Sequence, residues 1–412
     1  MSTLSDRYKS LGIKLGGSQP TINSLETPRK AVIPIEEVVP GIDFETIHGK
    51  SFITIREFDA NYVHGDHKLL VQRSLKLISE WGQTPNVSNL ARTQIAFLDT
   101  ETSGLSGGTG TYAFLIGLGY FTESSFKVVQ FFMRDPSQEA ALLTALDEWL
   151  TPFKAIITYN GKSFDLPLLK TRYMINDLKA PFVNFDHVDL LHLARRIWRN
   201  RLESRALGDL EKEIIGFIRD QEEVPGYLIP QFYFDYLHTQ NSAPLAGVFY
   251  HNVYDIVTLA SLFGFLADLL EDPTGDIVPS LDVVAIAKLY EDLGRLEIAA
   301  NLYEAGISQG LPDNFYLATL ERFARLRKKQ GFQEEALSLW VKAAQRGDLV
   351  AFVELSKYYE HTSKDYQTAI TWSREGLAQL KKIRIPKYQI QIWEDEFTRR
   401  LIRLEKKTSR SA

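Results

Sequence analysis

Residues 97–104, FLDTETSG, end an apolar run with two acids, Asp99 and Glu101, placed one residue apart. In a β-strand, side chains at positions i and i+2 lie on the same face. Two carboxylates held that close repel each other unless a cation lies between them. The spacing therefore indicates a metal site at a strand end. Acids at a strand end that simply reaches solvent are also common, so the octapeptide alone leaves both interpretations open.

The neighbouring sequence predicts a sheet around this segment. A meander of three strands is followed by a helix, a short buried strand, a second helix, a strand that turns into a helix, and one long apolar helix. The corresponding stretches are QIAFLD (94–99), TYAFLIGLGYF (111–121), FKVVQFFM (126–133), SQEAALLTALDEWL (137–150, with Ser137 as N-cap), AIITYNG (155–161), LPLLKTRYMI (166–175), FVNFDHVDLLHLARRIW (182–198) and 243–271. This order predicts an α/β fold with a mixed sheet and flanking helices.

The composition predicts a soluble globular protein of two to three domains. The chain has 412 residues, of which 44% are hydrophobic and 24% charged, and its formal net charge of -5 gives no global attraction to a polyanion. The absence of cysteine excludes disulfides, thiolate metal sites and a cysteine nucleophile. The first residues, MSTLSDRYKS, lack the apolar core of a secretory signal, and the longest apolar stretch, 256–270, is shorter than a membrane span. We expect a cytoplasmic protein without membrane contact.

Residues 1–90 are weakly patterned and are predicted to form a partly irregular N-terminal extension. SFITIREFD (51–59) alternates as a strand does. HGDH (64–67) offers two histidines and an aspartate without a third ligand type nearby. A surface loop is the prediction there, rather than a metal site.

The sequence after Pro273 predicts helices only, and these helices repeat. Segments 293–307, 330–344 and 363–377 superpose with Ala299, Ala336 and Ala369 in register, and small residues recur seven positions later. Residues 280–407 therefore resemble tetratricopeptide repeats with a capping helix at 389–406. Residues 381–412 carry ten Lys/Arg against four acids, an excess that we expect to be solvated.

Two further segments add acids to the first pair. In YNGKSFDLPLL (159–169) a strand ends at Asn160 and a helix begins near Asp165, and apolar residues including Phe164 are predicted to seat the segment in the core. An acid at a helix start is also a common cap. In YHNVYDIVTLASLF (250–263), His251 and Asp255 share a helix face. Cleavage of a phosphodiester by two hard divalent cations requires carboxylate ligands such as these.

Together, D-x-E, N-x4-D and H-x3-D in this order resemble the DEDD exonucleases on a ribonuclease H-like fold. Within that superfamily, residues 41–272 most resemble the YprB-like ribonuclease H domain, through DTETSG, NGKSFDLPLL and the runs at 188–217 and 224–237. We assign the domain itself to residues 91–272. The resemblance implies that Asp99, Glu101, Asp165 and Asp255 bind two divalent cations, Mg²⁺ or Mn²⁺. It also implies a 3′-5′ exonuclease acting on single-stranded DNA or RNA.

The third signature differs from the two usual patterns of that superfamily. One subgroup has Tyr four residues before the last Asp, and the other has His five residues before it. Here His251 lies four before Asp255, and Tyr250 lies five before it. A neutral imidazole can take a proton from the attacking water, so His251 is predicted to be catalytic, with Tyr250 and Tyr254 as less favoured helpers.

Candidate substrate contacts surround these signatures. RRIWRNRLESR (195–205) has the basic and aromatic composition of a single-strand track, from which we select Arg195 and Arg199; a solvated helix face has the same composition. Lys162 is a candidate phosphate contact, and Thr100 and Asn160 are further candidate substrate-binding residues. The glycine-rich loop at 104–110 lacks the G-K-[ST] ending of a phosphate-binding loop.

Two functions follow from these patterns. One is a metal-dependent nuclease. The other is an adaptor, in which the helical repeats bind a protein partner and the nuclease-like domain has little activity. Four acids in one cleft are costly without cations, which favours the nuclease.

Overall fold

A mixed sheet of seven strands carries the candidate acids. The computed structural model describes residues 32–59, 61–69, 73–104, 110–220, 224–275 and 278–411. The described strands are β1 (Ile42–Thr46), β2 (Gly49–Asp59), β3 (Val63–His64), β4 (His67–Lys68), β5 (Ile95–Thr102), β6 (Ala113–Phe121), β7 (Ser125–Phe132), β8 (Ala155–Thr158) and β9 (Asp186–Asp189). The large sheet has the order β1-β2-β7-β6-β5-β8-β9, and β3 and β4 form a separate hairpin. Pairing is antiparallel from β1 to β5, whereas β8 pairs in parallel with both β5 and β9. The predicted mixed sheet is confirmed.

The sheet begins well before residue 91, where the sequence placed the domain boundary. Strand β2 pairs with β7 from Phe52 to Asp59, with Phe52 opposite Phe132, and both rings are fully buried. Residues 42–59, predicted as part of a partly irregular N-terminal extension, therefore belong to the sheet, and 51–59 lie in a strand, as their alternation predicted. The alternation of one strand does not indicate which distant strand it pairs with. The position of β2 in the sheet was therefore not predictable from its own sequence.

The HGDH segment is also not the surface loop predicted from the sequence. Residues 64–67 form the hairpin of β3 and β4, and His64 is fully buried. Its Nε2 atom lies 2.9 Å from Thr258 Oγ1 and 3.4 Å from Glu211 Oε1. His64 is therefore a hydrogen-bonded core residue, which is how a buried histidine is accommodated.

Seven α-helices and one π-helix accompany the sheet in the described part of 73–271. They are α1 (Lys76–Gly82), α2 (Glu139–Leu150), α3 (Asp165–Ile175), α4 (Leu190–Trp198), α5 (Leu207–Leu210), the π-helix Glu211–Ile215, α6 (Ile229–Thr239) and α7 (Leu245–Glu271). Ser137 is not the N-cap of α2; it lies in a 3-10 turn, Pro136–Gln138, where its backbone N–H donates to Asp135.

Helix α7 is the central helix of this layer. It is long and apolar enough to cross a membrane, but 83% of its most apolar window is buried inside the protein. It lies against β6, where glycine is required. A Cβ atom on Gly117 would come within 2.4 Å of Asn252 Oδ1, and one on Gly119 within 2.3 Å of Ile256 Cγ2. The two glycines of LIGLGYF let the helix approach the sheet and so fix the height of its polar residues above β5.

Seven helices form the C-terminal array, as the sequence predicted for this region. They are α8 (Ser280–Asp292), α9 (Leu296–Ser308), α10 (Asp313–Gln330), α11 (Gln333–Gln345), α12 (Leu349–His361), α13 (Tyr366–Leu380) and α14 (Lys387–Ser411). Ala299, Ala336 and Ala369, the residues placed in register, are all buried. Lys364 occupies the position of the turn glycines Gly294 and Gly331 and shares their left-handed backbone, with φ of 58°. The third turn thus keeps the conformation without the glycine.

The array is fixed to the sheet domain by residues that the sequence suggested as a nucleic-acid track. Trp198 is fully buried, and its Nε1 donates to Asp282 Oδ2 at 3.1 Å. Arg201 donates to the same carboxylate at 2.8 Å, and Arg196 pairs with Asp292. These side chains bind α8 to the end of α4. The basic and aromatic composition of 196–201 is therefore largely explained by this junction.

The close approach at Gly117 predicts the effect of adding one methyl group. Gly117→Ala should destabilise the fold by about 1–3 kcal/mol, because Asn252 must shift in a filled core. Gly226→Ala is the matched control, because a Cβ there meets nothing within 4 Å. Urea unfolding of both variants measures the difference. Equal stability of the two variants would contradict the described contact between β6 and α7.

Candidate active site

The first pair of acids lies where β5 loses its regular register. Asp99 pairs with Gly117 of β6, and the pairing shifts between Glu101 and Thr102. A bulge at this position redirects the side chains at the strand end. The electrostatic neighbours of Asp99 are Asp255, Glu101 and Asp165. The structure thus brings together the four acids that the sequence placed on three separate elements.

Glu101 carries a carboxylate oxygen without a partner in the described structure. The residue is buried, and its Oε1 atom accepts no hydrogen bond from any described residue. Burial raises the pKa of Glu101 to about 8, with Asp255 and Asp165 adding to the effect and His251 opposing it. A buried acceptor left unpaired is costly, and a cation would satisfy it.

Asp165 is held at the start of α3 by the strand beside it. Thr100 Oγ1 donates to Asp165 Oδ1 at 2.5 Å. Burial raises the pKa of Asp165 to about 6, although the hydrogen bond from Thr100 lowers it. Thr100 is thus already engaged in orienting an acid, a contact that its position between Asp99 and Glu101 did not reveal.

The turn before Asp165 is fixed by Asp189, a residue that the sequence analysis missed. Asp189 is 1% exposed, and its carboxylate accepts the backbone N–H groups of Asn160 at 2.8 Å and Lys162 at 3.0 Å. It also caps α4 by accepting from Leu191 N. Asn160 has a left-handed backbone, with φ of 66°. An aspartate directly before LLHL is the N-cap signal that could have drawn attention to Asp189.

Asp99 is oriented by a chain of buried side-chain amides. Asn252 Nδ2 donates to Asp99 Oδ2 at 3.0 Å, and Gln130 Nε2 donates to Asn252 Oδ1 at 2.9 Å. Thr54 in turn donates to Gln130 at 3.1 Å. Burial, followed by the neighbouring acids, raises the pKa of Asp99 well above its usual value. Asn252 was missed because one amide between His251 and Asp255 does not stand out in an apolar helix.

His251 and Asp255 face each other on α7, as their spacing predicted. His251 Nε2 lies 3.3 Å from Asp255 Oδ2. Burial opposes the charge of both groups. For His251, the attraction of Asp255 and Glu101 prevails and raises its pKa to about 9. For Asp255, His251 and Arg219 prevail and lower its pKa.

Arg219 is the cation of this cluster that the sequence analysis did not find. Its side chain is 2% exposed, it pairs with Asp255, and its Nε donates to Glu211 Oε2 at 2.7 Å. Its Nη1 atom lies 3.4 Å from His251 Nδ1, which is too long for a strong hydrogen bond. Arg219 follows the π-helix in a segment without periodicity, so no pattern linked it to Asp255. It supplies one fixed positive charge beside four acids.

The two tyrosines considered as helpers bond outside the carboxylate cluster. Tyr250 is hydrogen-bonded to Asp220, and burial, with this bond, raises its pKa to about 12. The hydroxyl of Tyr254 accepts from Arg56 at 3.4 Å, and its ring stacks on Phe217. Among the three candidates, His251 alone has a described contact with Asp255.

The donor set fits a divalent cation. Ligand atoms of Glu101, His251 and Asp255 lie within 4.8 Å of one another, and Asp99 and Asp165 interact with the same group. Carboxylate oxygens are the ligands that Mg²⁺ and Mn²⁺ prefer. Arg219 and His251 do not fully balance the negative charge of the cluster. This imbalance is indicated by the unpaired Glu101 oxygen and by the raised pKa values of three acids.

Three of the five candidate substrate residues have exposed side chains. Lys162, Arg195 and Arg199 are exposed and form no ion pair with a described residue. Arg195 interacts electrostatically with Tyr159, next to Asn160. Phe164 is 53% exposed, so the prediction that it lies in the core is wrong. Most of the glycine-rich loop, 105–109, lies outside the described residues.

The raised pKa of Glu101 predicts how stability depends on pH. A carboxyl whose folded pKa is about 8, against 4.5 in a free side chain, destabilises the fold increasingly as pH rises from 4.5 to 8. In EDTA at pH 8, Glu101→Gln should therefore raise the thermal midpoint. The corresponding gain in the free energy of unfolding is on the order of 1 kcal/mol or more. Glu148→Gln, at an exposed acid, is the control. If the thermal midpoint of Glu101→Gln equals that of wild type from pH 5 to 8, the charges of the cluster are balanced without a cation.

Known proteins resemble this chain in sequence. A family model of the RNase H superfamily matches residues 96–267, which include all four acids. The uncharacterized protein YprB of Bacillus subtilis (strain 168) is 32% identical over 338 residues, which cover 79% of this chain and 81% of YprB. A family B DNA polymerase from the hyperthermophilic archaeon Pyrobaculum calidifontis aligns with a TM-score of 0.32 and 17% identity, over 51% of this chain and 28% of the polymerase. Membership of the RNase H superfamily indicates a nuclease or a related hydrolase. The chain belongs to the family of YprB and carries a domain of the RNase H superfamily.

Proposed function

We propose that this protein is a 3′-5′ exonuclease of the DEDD type that hydrolyses single-stranded DNA or RNA with two divalent cations. The observation that carries the proposal is the buried, unpaired oxygen of Glu101 in a cluster of four acids within an RNase H superfamily domain. A structural cluster of acids would pair each buried oxygen with a donor.

Asp99, Glu101, Asp165 and Asp255 would hold Mg²⁺ or Mn²⁺. The bound cations would supply activation of the attacking water and stabilisation of the leaving oxygen. The chain's own residues keep the ligands in place. Asn252 orients Asp99 and Thr100 orients Asp165, so that two of the four carboxylates are fixed before any ligand binds.

His251 is assigned the transfer of a proton from the attacking water. Its imidazole lies beside Asp255 and interacts with Glu101. The pKa of about 9 is caused by these two acids, whose charge divalent cations would neutralise. Arg219 holds Asp255 from the other side and limits the positions that this carboxylate can adopt.

Exposed basic and aromatic side chains would bind the strand. Lys162, Arg195 and Arg199 are suited to phosphate contacts, and the exposed ring of Phe164 next to Asp165 is suited to stacking on a base. We retain Asn160 as a candidate contact, whereas Thr100 is already bonded to Asp165. The helical array would form tetratricopeptide-like repeats that bind a protein partner.

The adaptor remains as a second candidate because Arg219 already pairs with Asp255 and so satisfies one of the four acids without a metal. Thermal unfolding with and without millimolar Mn²⁺ separates the two. A ligand that binds only the folded state must raise the midpoint, so the nuclease predicts a rise in wild type that is reduced in Asp165→Asn. An unchanged midpoint in wild type would favour the adaptor.

Loss of one ligand predicts loss of hydrolysis. Asp165→Asn should lower Mn²⁺-dependent cleavage by roughly two orders of magnitude or more, because the carboxylate charge is removed while the shape is kept. The assay uses end-labelled single and double strands of both DNA and RNA, read by product size. Asp313→Asn, at a side chain that is 99% exposed, is the control. Cleavage by Asp165→Asn at the wild-type rate would refute the metal assignment.

A further inference from the structure

The last helix of the array carries a stripe of cations on one face. Arg399, Arg403, Lys406 and Lys407, with Ile402, recur at the spacing of a single helix face and line an open depression. From the first to the last, the stripe extends about 12 Å at 1.5 Å per residue. We name this set the α14 stripe. Between 397 and 411 the sequence has six Lys/Arg and one acid, in a chain whose net charge is -5.

Two members of the stripe are held in place by one buried acid. Glu360 of α12 is fully buried in its side chain and accepts from Arg403 at 2.7 and 2.8 Å and from Lys407 at 2.9 Å. Arg403 and Lys407 nevertheless keep 48% and 38% of their side-chain surface exposed. Fixing two long side chains in advance lowers the entropy lost when they bind an anion.

The other two cations are not held by Glu360. Arg399 and Lys406 are exposed and form no ion pair with a described residue; Arg399 donates only to the backbone oxygen of Asp395. The single acid of this region, Glu405, pairs with Arg374 at 3.3 Å. Glu360 holds two of the four cations, and Arg399 also interacts electrostatically with Glu396. Because Lys406 has no acidic neighbour among the described residues, the stripe keeps a net positive charge.

We propose that the α14 stripe is a second binding site for the nucleic-acid strand, contacting its phosphates away from the carboxylate cluster. The physiological use of this site depends on the nuclease assignment above, whereas its affinity for phosphates does not. A lipid surface fits less well, since a helix that lies on a membrane needs a broad apolar face. The large apolar side chains that the described part of α14 exposes are Tyr388, Ile392 and Ile402, and of these Ile402 alone lies within the stripe.

The helical array is attached to the sheet domain, so a strand bound at α14 can be brought to the carboxylate cluster. Helix α8 is fixed to α4 by Asp282, Trp198 and Arg201. A strand bound at α14 is thus held on the same molecule as the acids, which raises its effective concentration at the cluster. Long substrates gain from this, and substrates too short to reach both sites do not.

The test is Arg399→Glu/Lys406→Glu, which reverses the two unpaired cations and leaves Glu360 and its partners intact. Lys329→Glu/Lys342→Glu makes the same charge change at exposed, unpaired lysines of α10 and α11. Binding of a fluorescent 20-mer single strand is followed by anisotropy in EDTA across a salt series. The stripe variant should bind about 10-fold more weakly at low salt, and its log K against log salt slope should be shallower by about 1.4, or 0.7 per lost phosphate contact.

Both double variants should cleave a trinucleotide at the wild-type rate. Loss of 20-mer binding in the stripe variant supports the proposal even if no variant of this protein shows nuclease activity, which separates it from the assignment above. Wild-type affinity of the stripe variant for the 20-mer overturns the proposal. An equal loss of 20-mer binding in the control variant also overturns it. The same holds if the stripe variant binds the 20-mer as wild type does and loses binding only to phosphatidylserine vesicles.

Discussion

Repulsion among four carboxylates in one buried cluster is the constraint that the rest of the site must offset. Asp99, Glu101, Asp165 and Asp255 come from a strand end and two helices and share one cluster, in which burial and mutual repulsion raise the pKa of three of them. Arg219 and His251 compensate chiefly at Asp255. The unpaired oxygen of Glu101 marks the remaining imbalance. The fold supports this arrangement because hydrogen bonds from Asn252 and Thr100 hold the other carboxylates.

The position of α7 connects this site to the core. The helix approaches β6 at Gly117 and Gly119, so Asn252 reaches Asp99 while the apolar face of the helix packs on the sheet. The π-helix and the following segment supply Glu211 and Arg219 behind Asp255. Thr258 and His64 extend the same buried polar group to the β3–β4 hairpin. In this network His64 Nδ1 has no partner among the described residues, as is also the case for Glu101 Oε1.

Local patterns in the sequence predicted much of this arrangement. The D-x-E pair, the strand-to-helix junction at Asp165 and the one-turn spacing of His251 and Asp255 each follow from the period of a strand or a helix, and the mixed sheet followed from the order of the elements. Contacts between distant residues were not predictable in this way. The pairing of β2 with β7, the burial of His64, the role of Trp198 at the domain junction and the approach of Arg219 to Asp255 all depend on partners far along the chain.

Anomalous diffraction from crystals grown with Mn²⁺ would show whether the carboxylate cluster binds divalent cations. We expect an anomalous peak bounded by Asp99, Glu101, Asp165 and Asp255, with Glu101 Oε1 among its ligands. A cluster without a peak at saturating Mn²⁺, with Arg219 still paired to Asp255 and Glu101 Oε1 still unpaired, would contradict this expectation.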